Sequence, residues 1–155
     1  MQILFGIIMI VAAIGISIYI LVIDCYSQYE MSITFYKEIT MNQNNVAIAQ
    51  TFYTAMGEKN IEAMEKYVHS DIQFIAPLAK LQGKEVYLEA LKGFTAFFKT
   101  LTMRAKFGEG DQAVVVYDVD CPAPVGKVPS VALLTFQEGL ITRIELFYDA
   151  RSFNK

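Results

Sequence analysis

The stretch VPSVALLTFQEGLITRIELFYD, residues 128–149, contains two strand-like runs separated by one short turn. Both runs are rich in β-branched, aromatic and other apolar residues, which favour extended backbone. Gln137, Glu138 and Gly139 lie between them, and a short glycine-containing segment at this position is typical of a hairpin turn. The stretch therefore predicts two antiparallel strands, at about 129–137 and 140–148.

Two further strand-like runs precede this hairpin, at about 101–108 and 113–121. The segment GEGD at 108–111 predicts a second hairpin turn between them, because it combines glycine with turn-favouring polar residues. CPAPVGK, residues 121–127, makes a longer connection to the next strand. Four consecutive strands of this kind predict a mainly antiparallel sheet.

The preceding part of the chain shows the apolar spacing of amphipathic helices, about 3.6 residues per turn. This spacing predicts helices within 45–57, 60–68 and 83–101, with a short strand at 72–77. Asn44 or Asn45 can cap the first helix, and Asn60 can cap the second. Helices followed by an antiparallel sheet are typical of the α+β class, in which helices cover one face of a curved sheet.

The first 23 residues of the chain contain no charged side chain. As a helix this run would be about 30 Å long, enough to cross a bilayer. A cleaved signal peptide would have a basic start and a shorter apolar run. We therefore predict a membrane anchor at 1–23, a linker at 24–41 and one domain at 42–155, with the protein held at the membrane by that single helix. The alternative is a mis-assigned start, because translation from Met31 or Met41 would leave a cytoplasmic protein without the anchor.

The charge and cysteine content exclude several kinds of function. The chain has 13 basic and 16 acidic residues, a net charge of −3, and no lysine- or arginine-rich run, so nucleic-acid binding is not expected. Cys25 and Cys121 are far apart and belong to no cluster with metal-ligand spacing. The sequence therefore predicts neither a metal site nor a cofactor.

The order of these helices and strands resembles the nuclear transport factor 2-like superfamily, specifically its SnoaL-like branch. Three segments carry the resemblance: FYTAMGEKNIEAMEKYVHSDIQF at 52–74, LQGKEVYLEAL at 81–91 and GLITRIELFYDARSF at 139–153. It implies a cone-shaped half-barrel, in which three helices close a pocket against a curved, mainly antiparallel sheet, here preceded by an apolar N-terminal helix. The same cone hosts isomerases, cyclases, hydrolases and binding domains, so the fold alone does not assign an activity.

Ketosteroid isomerases of this superfamily use a carboxylate base, together with a tyrosine and a protonated carboxylic acid that stabilise the enolate oxygen. By resemblance, these three positions fall on Ala76, Phe52 and Ala132 of this chain. A methyl group cannot take up a proton and a phenyl ring cannot donate one. The sequence therefore argues against this isomerase chemistry and leans against an enzyme.

Asp118 and Asp120, with Tyr148, are the remaining weak candidates for catalysis. Alternate residues of a strand face opposite sides of a sheet, so both aspartates share a face with Val116. Turning that face into the pocket would bury two like charges without a basic partner, at a cost of several kcal/mol. The opposite register, with Tyr117 inward, is therefore the cheaper one.

The sequence thus predicts a mostly apolar pocket that binds a small hydrophobic molecule. The residues expected to line it are Phe52, Tyr53, Met56, Phe74, Tyr87, Phe94, Tyr117, Ala132, Leu134, Leu146 and Tyr148. Two alternatives stay open. One is an enzyme of the cyclase, isomerase or hydrolase kind that uses a pocket tyrosine with Asp118 or Asp120. The other is an interaction module that forms a homodimer through the convex sheet face, at Val114 and Val116.

Overall fold

The computed structural model describes the backbone of residues 2–153 and the side chains of residues 19–38 and 44–153. The chain divides into two compact units, Met1–Ile39 and Thr40–Lys155. Helix α1, Gln2–Gly57, accounts for the described part of the first unit and for the first helix of the second. Residues 24–41, predicted as a linker, lie within α1.

The predicted anchoring of the protein by a membrane-spanning N-terminal helix is wrong. Among the residues that the structure describes, no helix is long and apolar enough to cross a membrane. In α1 the described side chains include those of Asp24, Glu30, Lys37 and Glu38, and charged groups are costly to bury in lipid. The side chains of residues 1–18, which make up most of the predicted anchor, lie outside the described residues.

Two short helices follow α1 in the second unit. Helix α2, Ile61–Glu65, begins after Asn60, whose side-chain oxygen accepts a hydrogen bond of 3.0 Å from the Ala63 N–H. This confirms the predicted cap, since such a bond satisfies an N–H that the first turn leaves unpaired. Helix α3 is Lys84–Phe97, and it follows Gly83, whose φ of 92° suits glycine.

Asn45 does not cap a helix, because α1 continues through it. Its side chain is buried, and its Nδ2 donates a hydrogen bond of 3.1 Å to the Gly110 carbonyl oxygen in the turn between two strands. The polar residue that suggested a helix start therefore ties α1 to the sheet instead. The tertiary contact satisfies the asparagine amide in place of a local cap.

Six strands form one sheet in the order β2-β1-β6-β5-β4-β3. Strand β1 pairs in parallel with β6, and the other neighbouring strands are antiparallel. The short strand β2, which forms a hairpin with β1, was not predicted from the sequence. The strands are β1 Val68–Ala76, β2 Ala79–Gln82, β3 Thr100–Glu109, β4 Gln112–Asp120, β5 Lys127–Gln137 and β6 Leu140–Tyr148, followed by a 3-10 turn at Ala150–Phe153.

Irregularities in strand pairing explain why the sheet curves. The register shifts between Val68 and Gln73 in β1, between Met103 and Ala105 in β3, and at Thr135 in β5. An extra residue in one strand bends that strand and increases its twist. The predicted α+β class, a curved and mainly antiparallel sheet with covering helices, is confirmed.

The core lies between the helices and the concave face of the sheet. On β4 the buried residues Ala113, Val115, Tyr117 and Val119 alternate with half-buried ones, as a strand with one covered face requires. Tyr53 of α1 packs on Tyr117, with ring centroids 4.8 Å apart. We call the opposite side of the sheet, which carries Asp118 and Asp120, the outer face.

Candidate functional site

A cavity of about 240 Å³ lies between the concave face of the sheet and helices α1 and α3. Eight of the residues predicted to line a pocket line this cavity. They are contributed by two helices and three strands, which the curvature of the sheet brings together. These eight are Tyr53, Met56, Phe74, Tyr87, Phe94, Tyr117, Leu146 and Tyr148.

Three residues of the predicted lining are not brought to the cavity. Phe52, Ala132 and Leu134 are each 0% exposed and belong to the packed core. Ala132 and Leu134 lie on the concave face of β5, but they are buried in the core cluster and do not line the cavity. Phe52 is one helical step from Tyr53, about 100° around the helix axis, which turns its ring away from the cavity.

The structure adds lining residues that the sequence interpretation missed. Val119, Cys121, Val128 and Ser130 lie at two-residue intervals from predicted positions on β4 and β5, so strand alternation was a signal that could have found them. Other missed residues had no such signal. Ala79 and Leu81 belong to the unpredicted strand β2, and Phe153 reaches the cavity from the C-terminal 3-10 turn.

The cavity wall is uncharged. Of the described residues that line it, none is aspartate, glutamate, lysine, arginine or histidine. Its polar side-chain groups are the hydroxyls of four tyrosines and of Ser130, together with the Cys121 thiol. In the described part of the chain no group of three or more histidine, cysteine and acidic side chains is placed to hold a metal ion.

Burial keeps the cavity tyrosines in their neutral form. Removal from water raises the pKa of Tyr53, Tyr87 and Tyr117 well above the usual tyrosine value, and neighbouring phenols add to the effect for Tyr53 and Tyr87. A hydrogen bond between Tyr53 and Tyr117 raises the pKa of Tyr53 and lowers that of Tyr117. These hydroxyls therefore act as hydrogen-bond donors and acceptors rather than as bases.

The remaining polar groups of the cavity are also uncharged. Burial raises the pKa of Tyr148, whose hydrogen bond with the Leu78 backbone partly offsets the rise. Burial likewise raises the pKa of the Cys121 thiol, and the neighbouring Asp120 carboxylate raises it further. Because the thiolate is the reactive form of cysteine, Cys121 is not set up as a nucleophile.

The two candidate catalytic aspartates lie on the opposite side of β4 from the cavity. Asp118 is held on the outer face by Lys127 Nζ at 2.8 Å and by Arg104 Nη1 at 3.4 Å from its carboxylate oxygens. The hydrogen bond from Lys127 is the main reason that the pKa of Asp118 is lowered. Asp120 follows on the same face, and neither residue lines the cavity. The structure therefore does not bring Asp118 or Asp120 into the cavity beside a tyrosine hydroxyl.

The positions that correspond by resemblance to isomerase catalytic groups hold no proton donor or acceptor side chain. Phe52 and Ala132 lie in the packed core, whereas Ala76 lines the cavity with a methyl group. The cavity therefore offers hydrogen-bonding hydroxyls on an apolar wall and no carboxylate among its described lining residues.

Comparison with known proteins finds a family match within the second unit. The family model described as SnoaL-like domain matches residues 49–144, which is more than half of the chain. No curated protein matches the chain.

Solved structures from three bacteria share the fold. A Kribbella flavida protein is 21% identical, with a TM-score of 0.66 over 70% of this chain and 89% of its own. An NTF2-like protein of unknown function from Cytophaga hutchinsonii is 21% identical, with a TM-score of 0.63 over 70% and 92%. An NTF2-like protein from Burkholderia xenovorans is 17% identical, with a TM-score of 0.61 over 73% and 95%. At these identities the likeness shows the fold alone.

Proposed function

Because this chain belongs to the SnoaL-like domain family, we propose that its cavity binds a small, uncharged hydrophobic molecule. The observation that carries the proposal is the composition of the wall, which combines aliphatic and aromatic side chains with a few neutral hydroxyls. Enclosed apolar cavities with a small number of polar groups are typical of small-molecule sites.

The uncharged wall also limits the charge that a bound ligand can carry. A carboxylate or an ammonium group placed in the cavity would lose its water without gaining an opposite charge, which costs several kcal/mol. A hydrocarbon surface gains about 25 cal/mol for each Å² removed from water. The cavity therefore favours neutral molecules that fill it with carbon.

A matched pair of fluorescent probes tests this proposal in the full-length protein. N-phenyl-1-naphthylamine is uncharged, whereas 1-anilinonaphthalene-8-sulfonate has the same ring skeleton with one sulfonate. We expect the uncharged probe to bind at least about tenfold more tightly, because the wall has no group to neutralise the sulfonate. Fluorescence titration measures both affinities.

Two tryptophan substitutions in α3 locate the bound probe. Ala90 lines the cavity, so Ala90→Trp should occupy part of it and weaken binding of the uncharged probe. The neighbouring Glu89 has a 78% exposed side chain, and Glu89→Trp is the matched control that should leave binding unchanged. Equal binding of the two probes, or equal loss in both variants, would contradict the proposal.

A second candidate function, homodimer formation, is favoured by the apolar character of the outer face. Ala105, Val116, Val131 and Phe147 are direct register neighbours across four strands on this face. Phe147 is 55% exposed, and Phe107, from the next row, is 63% exposed. Contiguous exposed apolar side chains are typical of protein interfaces.

We expect Val116→Lys to shift the protein towards monomer, because it places a charge at the centre of this row. The control Gln137→Lys changes an exposed residue at the end of β5 and should leave association unchanged. Sedimentation equilibrium at several concentrations distinguishes the two outcomes. A wild-type protein that stays monomeric throughout the concentration series would refute the dimer.

A further inference from the structure

Three hydroxyl-bearing residues form a row across the concave face of the sheet. Tyr117 on β4 pairs in register with Ser130 on β5, and Ser130 pairs in register with Tyr148 on β6. All three residues line the cavity. We call Tyr117, Ser130 and Tyr148 the hydroxyl row.

We call the position above Ser130, the middle residue of the hydroxyl row, the notch. Neighbouring strands lie about 4.8 Å apart, so the two tyrosine Cα atoms are separated by roughly 10 Å across the serine strand. Ser130 has the smallest side chain of the three and lines the cavity between the two tyrosine strands. An atom of a ligand that enters this notch has a phenol on each side.

The rows that flank the hydroxyl row are apolar. On one side Ala132 and Leu146 pair in register, and on the other side Val119 pairs with Val128. Polar groups on the sheet wall of the cavity are thus concentrated along one line, with carbon on both sides. This arrangement can orient a ligand, because the hydroxyl groups of that wall lie along one line.

The two phenols of the hydroxyl row are neutral and carry O–H protons that can be donated to a ligand. Burial raises the pKa of Tyr117, which therefore keeps its O–H proton, and its ring centroid lies 4.8 Å from that of Tyr53. Burial also raises the pKa of Tyr148, and a hydrogen bond with the Leu78 backbone partly offsets the rise. The Ser130 hydroxyl is directed to the Val128 carbonyl oxygen at 3.4 Å.

We propose that the ligand carries an uncharged carbonyl oxygen, as in a ketone, quinone or lactone, that enters the notch and accepts hydrogen bonds from Tyr117 and Tyr148. A carbonyl oxygen has two lone pairs and can accept both bonds at once. A pure hydrocarbon in the same place would leave buried O–H donors unpaired, which is unfavourable. This inference rests on the proposed ligand-binding function and adds the chemical class of the ligand.

The hydroxyl row differs from the positions that correspond to isomerase catalytic groups, which are Phe52, Ala76 and Ala132 here. It uses neutral donors on three adjacent strands and needs no carboxylic acid. The row therefore selects a carbonyl compound by recognition, without a proton-transfer step.

The pair 9-fluorenone and fluorene tests the inference in the full-length protein. The two molecules share a flat tricyclic skeleton and differ in one carbonyl oxygen. We expect fluorenone to bind about tenfold more tightly than fluorene, as for two hydrogen bonds of ordinary strength in a buried site. Tyr117→Phe and Tyr148→Phe should each reduce this preference by about threefold, with fluorene affinity retained as evidence of an intact cavity.

Tyr87→Phe is the matched control, because it removes a hydroxyl from the same cavity but from α3, outside the row. This variant should keep the full preference for fluorenone. The infrared stretching band of the fluorenone carbonyl gives a second readout. It should move to lower frequency on binding to the wild type, and the shift should shrink in Tyr117→Phe and in Tyr148→Phe.

The outcomes separate the two proposals. Equal affinity for fluorene and fluorenone, or a preference that both row variants leave unchanged, would overturn the carbonyl inference and leave the binding function standing. A preference lost equally in Tyr87→Phe would also overturn it, because the row would then not be the determinant. If neither molecule binds, the ligand-binding function fails together with the inference.

Discussion

Alkaline pH should destabilise this protein strongly, because three tyrosines of the cavity are buried as neutral phenols. Burial raises the pKa of Tyr53, Tyr87 and Tyr117 above the usual value near 10. In the unfolded chain these phenols ionise above about pH 10, whereas in the folded protein they keep their protons. The unfolded state then binds fewer protons than the folded state, so the free energy of unfolding falls as the pH rises.

The size of the effect follows from the same linkage. A tyrosine that ionises only in the unfolded state lowers the stability by about 1.4 kcal/mol between pH 9 and pH 11. Three such tyrosines together lower it by about 4 kcal/mol, a large part of the 5–15 kcal/mol typical of a folded domain. The contribution is fully present below about pH 9, and it is lost progressively as the pH rises from about 10 towards the raised pKa values of the folded state.

Urea unfolding at about pH 9 and about pH 11 measures this loss. Tyr87→Phe should reduce the loss by about 1.4 kcal/mol, because one ionising group is removed from the unfolded state. Tyr29→Phe is the control, since Tyr29 is exposed and its removal should leave the pH dependence unchanged. The absorbance of tyrosinate gives an independent test. Ionisation of all nine tyrosines in a protein that is still folded at about pH 11 would refute the burial argument.

Three further predictions concern packing and polar contacts. Leu134→Ala should lower the stability by about 2–5 kcal/mol, because Leu134 is fully buried, while the probe affinity of the cavity stays within about twofold, as seen by calorimetry and titration. Asn45→Ala should cost about 1–2 kcal/mol in urea unfolding, since it removes the hydrogen bond from the buried Asn45 amide to the Gly110 carbonyl oxygen. Asp118→Asn should destabilise the protein at neutral pH, and the difference should vanish on acidification, because the pKa of Asp118 is lowered by Lys127 and its contribution is lost as the carboxylate is protonated.

Patterns that repeat along the chain were sufficient to predict the α+β class and the hairpin between β5 and β6. Glu138 and Gly139 at its turn both have positive φ, 51° and 78°, as a tight hairpin requires. Strand alternation also separated Tyr117 from Asp118 correctly, because a covered sheet face admits the phenol and leaves the carboxylate near water. Turn residues and strand alternation can be recognised from residues that are close together in the sequence.

The lining of the cavity was predicted only in part. A cavity forms where helices and strands that are distant in the chain do not pack closely against each other, and the sequence does not show where this happens. Ala132 and Leu134 point to the same side as Ser130, yet only Ser130 reaches the cavity. Strand β2, the closing position of Phe153 and the role of Asn45 as a tie to the Gly110 turn are likewise set by long-range contacts. None of these contacts leaves a periodic signal in the sequence.

By itself, the sequence determined the α+β class, the β3–β4 and β5–β6 hairpins, and which strand faces are apolar. Those properties follow from side-chain chemistry and from a period of two or about 3.6 residues. Only the tertiary structure decided where the cavity lies and that Tyr117, Ser130 and Tyr148 are neighbours on adjacent strands. Register between strands and the bending of the sheet by bulges depend on pairing across the whole domain, so neighbours in space become known only when the chain is folded.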